Sequence, residues 1–344
     1  MNAEADQAPA DAAATPRPGR SCPTHYHYQP SAFRAASAVS VETVYVIGGL
    51  YGNGEALHAI LRMQEAEARA GRRVELVFNG DYHWFDVDAP TFLEIDEAAA
   101  SSISIRGNVE TEIAESSPFG CGCNYPDDVS DAFVGRSNSI MARLQETCRE
   151  LPSARQALAA RPMFRTIQLG DERIGIVHGD AESLAGWSFA AERLSASRSD
   201  ERDGPARTPL AAIERYFRES DVRAFASTHT CLHFARDFDV DGAERLVINN
   251  GAAGLPNFAG TSAGLLSRIS VDPRVPRDSL YGIELGGLRF DALPIRYDHS
   301  RWLESFTANW PEGSPAHQSY FERIAHGPRF EVRDALGGRV QRPS

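Results

Sequence analysis

VYVIGGLYGNGEALHAIL, Val44 to Leu61, decides how the fold is read. An apolar, β-branched run stops at a pair of glycines, and helical spacing of apolar residues begins a few positions later. The stretch therefore reads as a buried strand, Val41 to Ile47, a glycine turn, and an amphipathic helix from about Gly54 to Ala70. Turns that follow strands in this way converge on one crevice and are a common place for chemistry. This turn carries Gly49 and Tyr51, neither of which is an acid or an imidazole.

Outward from it the pattern repeats. VELVFNGDYHWFDVD predicts a strand from Val74 to Phe78 that ends in a turn at Gly80-Asp81. The helix-like APTFLEIDEAAA follows, then a strand over Ser102 to Asn108. SPFGCGCNYPDD reads as a loop, and SNSIMARLQETCRELPSARQALAARP as a long helix or helical hairpin. MFRTIQLGDERIGIVHGD is a hairpin whose second strand, Arg173 to Val177, runs into His178-Gly179-Asp180. LSASRSDERDGPART is rich in arginine and acid and reads as an exposed linker or lid. Strands then dominate (VRAFAST, HFARDFDV, ERLVINNG, LLSRISV, LYGIELGGLRFDALPIRY), and helices return near the C-terminus. Alternating strands and helices predict an α/β core with parallel strands.

Composition narrows the function classes. The 344 residues carry a formal charge of −12, which argues against a nucleic-acid surface. Every one of the 35 basic residues is arginine, which excludes Schiff-base chemistry and any phosphate loop built on lysine. No apolar run reaches the length of a membrane span, so no membrane partner is expected. The five cysteines are odd in number and irregularly spaced, which argues against a disulfide framework and for a reducing cytoplasm. Met1 to Arg20, rich in Ala, Pro and acid, lacks the pattern of a signal peptide and is expected to be a disordered tail.

Four strand ends stand out: NGDYH at Gly80-Asp81, RGNVE at Gly107-Asn108, VHGD at His178 and STHTC at His229, with INNGAAG following. In this order the set resembles the calcineurin-like metallophosphoesterase superfamily, over roughly Thr43 to Val271. The resemblance implies two packed mixed β-sheets flanked by helices, a four-layer α/β sandwich. It assigns Asp81, Asn108, His178 and His229 to one metal position, with Asp81 bridging to a second. The second position would take an Asp-x-His and a further His, but here Gly49, Tyr51 and Cys231 stand there. Val109 stands where the family places a proton-donating His. One half of a two-metal site is thus expected to survive.

One carboxylate, two imidazoles and an amide oxygen suit Mn, Fe or Zn, with one ion per chain rather than two. Cys231 is a further candidate ligand. His83, with Asp86 in GDYHWFD, is a candidate ligand or proton donor, or a plain surface or stacking residue. Arg106 would reach a substrate phosphate or form a structural ion pair. Tyr51 would donate a hydrogen bond where the missing His stood, or plug the empty pocket. Cys121 and Cys123 would add soft ligands or be buried small residues. Cys22, His25 and His27 lack a recognised finger spacing.

The resulting expectation is a metal-dependent hydrolase of a small phosphate monoester or phosphodiester, with a metal-activated water as nucleophile. The alternative is a catalytically inactive metallophosphoesterase-like binding or regulatory protein. Neither a Gly-x-Ser-x-Gly elbow nor a convincing dinucleotide fingerprint occurs. Residues 1–40 are expected as an irregular extension, 41–297 as the catalytic-type domain and 298–344 as a helical extension. The partner would be a small phosphorylated substrate; the sequence sets no oligomeric state.

Overall fold

The apolar run at Thr43–Ile47 is buried at every position, as a strand covered on both faces requires. A computed structural model describes residues 16–194 and 207–337 of the chain. Among the described residues the strands, in chain order, are β1 (Ala38–Val41), β2 (Thr43–Ile47), β3 (Glu75–Asn79), β4 (Ile103–Ile105), β5 (Phe164–Leu169) and β6 (Glu172–Val177). They continue as β7 (Ala224–Ser227), β8 (Phe234–Val240), β9 (Ala243–Asn249), β10 (Gly264–Ser270), β11 (Gly282–Leu285) and β12 (Leu288–Ile295). They form two six-stranded mixed sheets, ordered β11-β12-β10-β2-β3-β4 and β1-β5-β6-β7-β9-β8. The fold class that the resemblance implied is therefore the one present.

Alternation along each strand sorts the core into layers. Val44 and Val46 of β2 meet Ile174 and Ile176 of β6 and Ala224 and Ala226 of β7 between the sheets. Tyr45 and Ile47 point the other way, into a layer with Leu57 and Ile60 of the helix Gly54–Arg69, Phe92 and Ile95 of Ala89–Ala100, and Trp302 and Phe306 of His299–Asn309. On the far side Phe225 and Val247 pack under Ile213 and Phe217 of the helix Leu210–Ser220. Asn53 caps the first of these helices by accepting the Ala56 N–H at 2.9 Å.

Two parallel runs position the site. β2, β3 and β4 are parallel in one sheet, and β6, β7 and β9 are parallel in the other. The C-terminal ends of β3, β4, β6 and β7 carry the turns of the four motifs.

Some expected boundaries shift. The predicted strand Val41 to Ile47 is two strands: β1 pairs in parallel with β5 at the edge of one sheet, and β2 belongs to the other. The chain crosses between sheets at Glu42, one of two consecutive polar residues, Glu42 and Thr43, between apolar runs. The predicted strand Ser102 to Asn108 shortens to β4, because Asn108 opens the helix Asn108–Glu115. The helix Leu210–Ser220 was not anticipated. Residues 1–15 of the expected tail and most of the expected linker at Leu194 to Thr208 lie outside the described residues. No described helix is long and apolar enough to cross a membrane.

Candidate metal centre and its pocket

Asp81 follows β3 on a left-handed backbone, φ +56°, after Gly80 at φ +83°. Gly80 has to be glycine twice over: its φ disfavours a side chain, and a Cβ there would lie 2.6 Å from both the Gly107 nitrogen and His178 Nδ1. The buried Glu110 carboxylate ties this turn to the next one. It accepts the backbone N–H groups of Asp81 at 2.8 Å, Tyr82 at 3.0 Å and Gly107 at 2.8 Å.

Asp81, His178 and His229 bring one ligand atom each to within 4.8 Å of one another, the only such group among the described residues. His178 Nε2 is 3.3 Å from Asp81 Oδ1, 3.1 Å from Asn108 Oδ1 and 3.2 Å from His229 Nδ1. The outer atoms of the two imidazoles and of Asn108 are engaged. His178 Nδ1 donates to the Asn79 carbonyl at 3.0 Å, and His229 Nε2 donates to the Cys123 carbonyl at 3.0 Å. The Asn108 amide group donates to the Cys121 carbonyl at 2.9 Å, which turns its oxygen inward. With both outer ring nitrogens carrying hydrogen, the inward atoms are four lone-pair donors. A proton or a metal ion between these atoms would relieve the repulsion of their lone pairs.

The electrostatics agree. Burial pushes the Asp81 carboxyl up, but the two imidazoles and the Val109 N–H outweigh it and hold its pKa below the ordinary value. Burial pulls His178 down, and the Asp81 charge more than restores it. His229, buried and beside His178, is pushed down to about 4. A proton on His178 can bridge the cluster, and so can a divalent ion, whose binding needs both imidazoles neutral.

Tyr51 folds back over its own turn. Its ring lies where a side chain on Gly49 would be: a Cβ at Gly49 would be 2.3 Å from Tyr51 Cζ. Its hydroxyl is hydrogen-bonded to the Cys231 thiol. Of the three residues that the resemblance places at a second metal position, Tyr51 and Cys231 are thus bonded to each other, and the Tyr51 ring takes the space of a side chain on the third, Gly49. Tyr51, Asp81 and Cys231 all have positive φ, at 56°, 56° and 63°, and all line the same pocket. Backbone strain of about 1–3 kcal/mol per residue gathers at functional sites in this way.

Other expected site residues lie elsewhere. Cys231 lines the pocket, but its thiol is engaged by Tyr51 and the His229 carbonyl, and it stands outside the ligand cluster. His83 is fully buried and stacked on Phe92, with centroids 3.8 Å apart, and its Nδ1 meets Asp86 at 2.9 Å. It does not line the pocket. The left-handed backbone at Asp81 turns the following residues into the helical layer. Arg106 takes the structural alternative, 3.4 Å from Glu115 and 3.2 Å from the Ala159 carbonyl. Cys121 and Cys123 are bonded to each other as a disulfide, against the expectation of free thiols. What this loop gives the site is its two carbonyls, which orient Asn108 and His229. His25 pairs with Glu115 at 3.0 Å, and Cys22 lies 3.5 Å from the Ser183 hydroxyl.

The cluster opens into a cavity of about 310 Å³. Asp81, Asn108 and His229 lie on one side, Trp84, Tyr125, Phe133, Trp187 and Tyr320 form walls, and Arg323 sits at the rim. The Arg323 guanidinium donates to the Cys231 carbonyl at 2.7 Å. The walls and Arg323 were not anticipated; Tyr320 and Arg323 belong to the helix Pro315–His326, far along the chain from every motif. A larger cavity, about 650 Å³, lies beyond Trp187 and Tyr125 and contains none of the ligands.

No protein-family profile matches the chain, and no curated protein does. Among solved structures it is similar to a hypothetical protein from Pyrococcus horikoshii OT3, at 17% identity, over 85% of this chain and 100% of that one, with a TM-score of 0.55. It is also similar to a metallophosphoesterase from Sphaerobacter thermophilus, at 18% identity over 84% and 100%, with a TM-score of 0.49. Vacuolar Protein Sorting 29 from Cryptosporidium parvum follows at 14% identity over 74% and 98%, with a TM-score of 0.35. The likeness to the Pyrococcus protein is one of fold, and a fold by itself does not set an activity.

Proposed function

We propose that the chain is a metal-dependent hydrolase of a small phosphate monoester or phosphodiester. The observation that carries this reading is the cluster of four inward lone-pair donors, Asp81, Asn108, His178 and His229, three of which line an open pocket with the buried His178 behind them. A purely structural ion is more often closed off by a Cys-rich cage. A divalent ion held by these four would supply Lewis acidity toward a phosphoryl oxygen and toward the attacking water.

The residues of the chain do the rest. Asn79, Cys121 and Cys123 carbonyls hold the ligand side chains in place, so the ligands are preorganised. Arg323 supplies a fixed positive charge at the rim for a phosphoryl oxygen. In hydrolysis the water oxygen bonds to phosphorus, the ester P–O bond breaks, and its electron pair leaves on the alcohol oxygen. Among the described residues no imidazole other than those of the cluster lines the pocket, so the leaving oxygen takes its proton from solvent or from a lining hydroxyl such as that of Tyr125 or Tyr320.

The Tyr51 plug supports the second reading, a metal-binding protein without turnover, because its ring takes the side-chain space of Gly49, where the resemblance would put a ligand to a second ion. Metal content by mass spectrometry, with turnover of p-nitrophenyl phosphate and of bis(p-nitrophenyl) phosphate, separates the two. A hydrolase is expected to bind about one ion per chain and to lose both ion and turnover in Asp81→Asn. Turnover that persists undiminished in Asp81→Asn would place the chemistry elsewhere; an ion with no turnover of either ester would favour the binding protein.

A further inference from the structure

The walls of the pocket form a continuous arc of rings. From His229 it runs to Trp187 at 5.4 Å between centroids, to Tyr125 at 5.9 Å, to Phe133 at 5.7 Å, to Tyr320 at 5.9 Å and to Trp84 at 6.5 Å. These rings come from separate segments: the turns after β3 and β6, the loop of the Cys121–Cys123 disulfide, and two helices. Tyr125, Phe133, Trp187 and Tyr320 are half-buried rather than sealed in the core, so they bound an open space. Aromatic rings favour edge and offset contacts with a further ring, which this arc is placed to offer.

Charge and volume narrow the occupant. Arg323 is the one cation on the pocket lining among the described residues, enough for one phosphoryl group and too little for a polyphosphate chain. The same guanidinium opposes a cationic occupant of the ring arc. A cavity of about 310 Å³ is at the small end of ligand pockets, which span roughly 300–1,000 Å³. Val109, buried beside Asp81, gives this part of the lining an apolar side chain with no proton to donate, which favours a leaving group stable without protonation.

Resting on the hydrolase reading, we propose that the substrate is an ester of a single phosphoryl group with a phenol-type aromatic alcohol. The phosphoryl group sits between the cluster and Arg323, and the flat ring lies against Tyr125, Phe133 and Tyr320. Hydrolysis transfers the phosphoryl group to water and releases the phenol.

Two measurements on the purified full-length protein with Mn²⁺ test this and separate its failure from that of the hydrolase reading. Binding of phenylphosphonate and methylphosphonate, neither of which has an ester bond to break, is followed by tryptophan fluorescence. Phenylphosphonate is expected to bind about tenfold or more tightly, as one or two good ring contacts allow. In Phe133→Leu and, separately, Tyr125→Leu the ratio is expected to fall toward one. Turnover of phenyl, benzyl and ethyl phosphate is then compared, with kcat/KM expected to fall in that order. Equal binding of the two phosphonates, or a ratio unmoved in both variants, overturns the aromatic assignment even if every ester is hydrolysed. Selective binding of phenylphosphonate with no turnover of any ester keeps the aromatic site and overturns the hydrolase reading.

Discussion

Adding one methyl group at Gly49 tests whether Tyr51 fills the second metal position. A Cβ at Gly49 would lie 2.3 Å from Tyr51 Cζ and 2.6 and 2.7 Å from its Cε atoms, where ordinary contact begins at 3.4 Å. The ring would have to retreat by about 1 Å, yet it is buried and its hydroxyl is bonded to Cys231. Overpacking of this kind costs about 1–3 kcal/mol. The backbone at Gly49 is not left-handed, so alanine there otherwise gains about 0.4–1 kcal/mol by restricting the unfolded chain. Tyr51→Ala alone removes a buried ring and should cost about 3–5 kcal/mol. In that background the obstruction is gone, and Gly49→Ala should be neutral or slightly stabilising.

The two changes should therefore be strongly coupled, by about 2 kcal/mol, well above the 0.3–0.5 kcal/mol within which independent sites add. Urea unfolding of the wild type, both single variants and the double variant, with slopes compared as well as midpoints, measures that coupling. A coupling below about 0.5 kcal/mol would show that the ring does not occupy the Gly49 side-chain position, and the plug would have to be abandoned.

Restoring ligands should depend on removing the same ring: Gly49→Asp with Tyr51→His and Cys231→His should raise metal content from about one to about two ions per chain, whereas Gly49→Asp alone should not. Arg323→Met should raise KM for a phosphate ester more than it lowers kcat, read in steady-state kinetics; an unchanged KM would remove Arg323 from substrate binding. Glu110→Ala leaves three buried backbone N–H groups without their acceptor and should cost at least about 3 kcal/mol in urea unfolding. His233 is buried beside Tyr281 and Ser267, and burial pushes its pKa down to about 3. A depressed histidine contributes stability above its unfolded pKa, near 6.5, that is lost as pH falls toward the folded value. Unfolding at pH 7 and pH 5 should differ by about 2 kcal/mol on this account, and His233→Asn should flatten the difference by that amount.

The motif turns were legible because each follows an apolar run that can only be a buried strand, and because their order matches a known family. Direction was not legible. His83 stands two residues from Asp81, but a left-handed turn sends it onto Phe92 rather than into the pocket. The Glu42 crossing was hidden because β-branched residues flank it on both sides, and the polar pair Glu42-Thr43 is too short to mark the change of sheet. The helix Leu210–Ser220 buries Ile213, Tyr216 and Phe217 at helical spacing, a signal that was present but lost beside an arginine-rich flank. Arg323, Tyr320 and Trp187 carry no motif. Their place in the site comes from tertiary packing alone.

The helix Pro315–His326 also sets an order of events during synthesis. The ligand cluster is complete in sequence at His229 and the last strand of the sandwich at Ile295, but the wall and rim supplied by Tyr320 and Arg323 emerge from the ribosome later. Because chains fold from the N-terminus as they are made, a nascent chain has its cation-binding groups before it has a closed pocket. On the hydrolase reading, an ion would then be selected from the cellular pool by a cleft still open to water, and discrimination among esters would arise only when the helix Pro315–His326 docks. A released chain truncated before residue 315 should accordingly take up metal while showing no preference among organic phosphates.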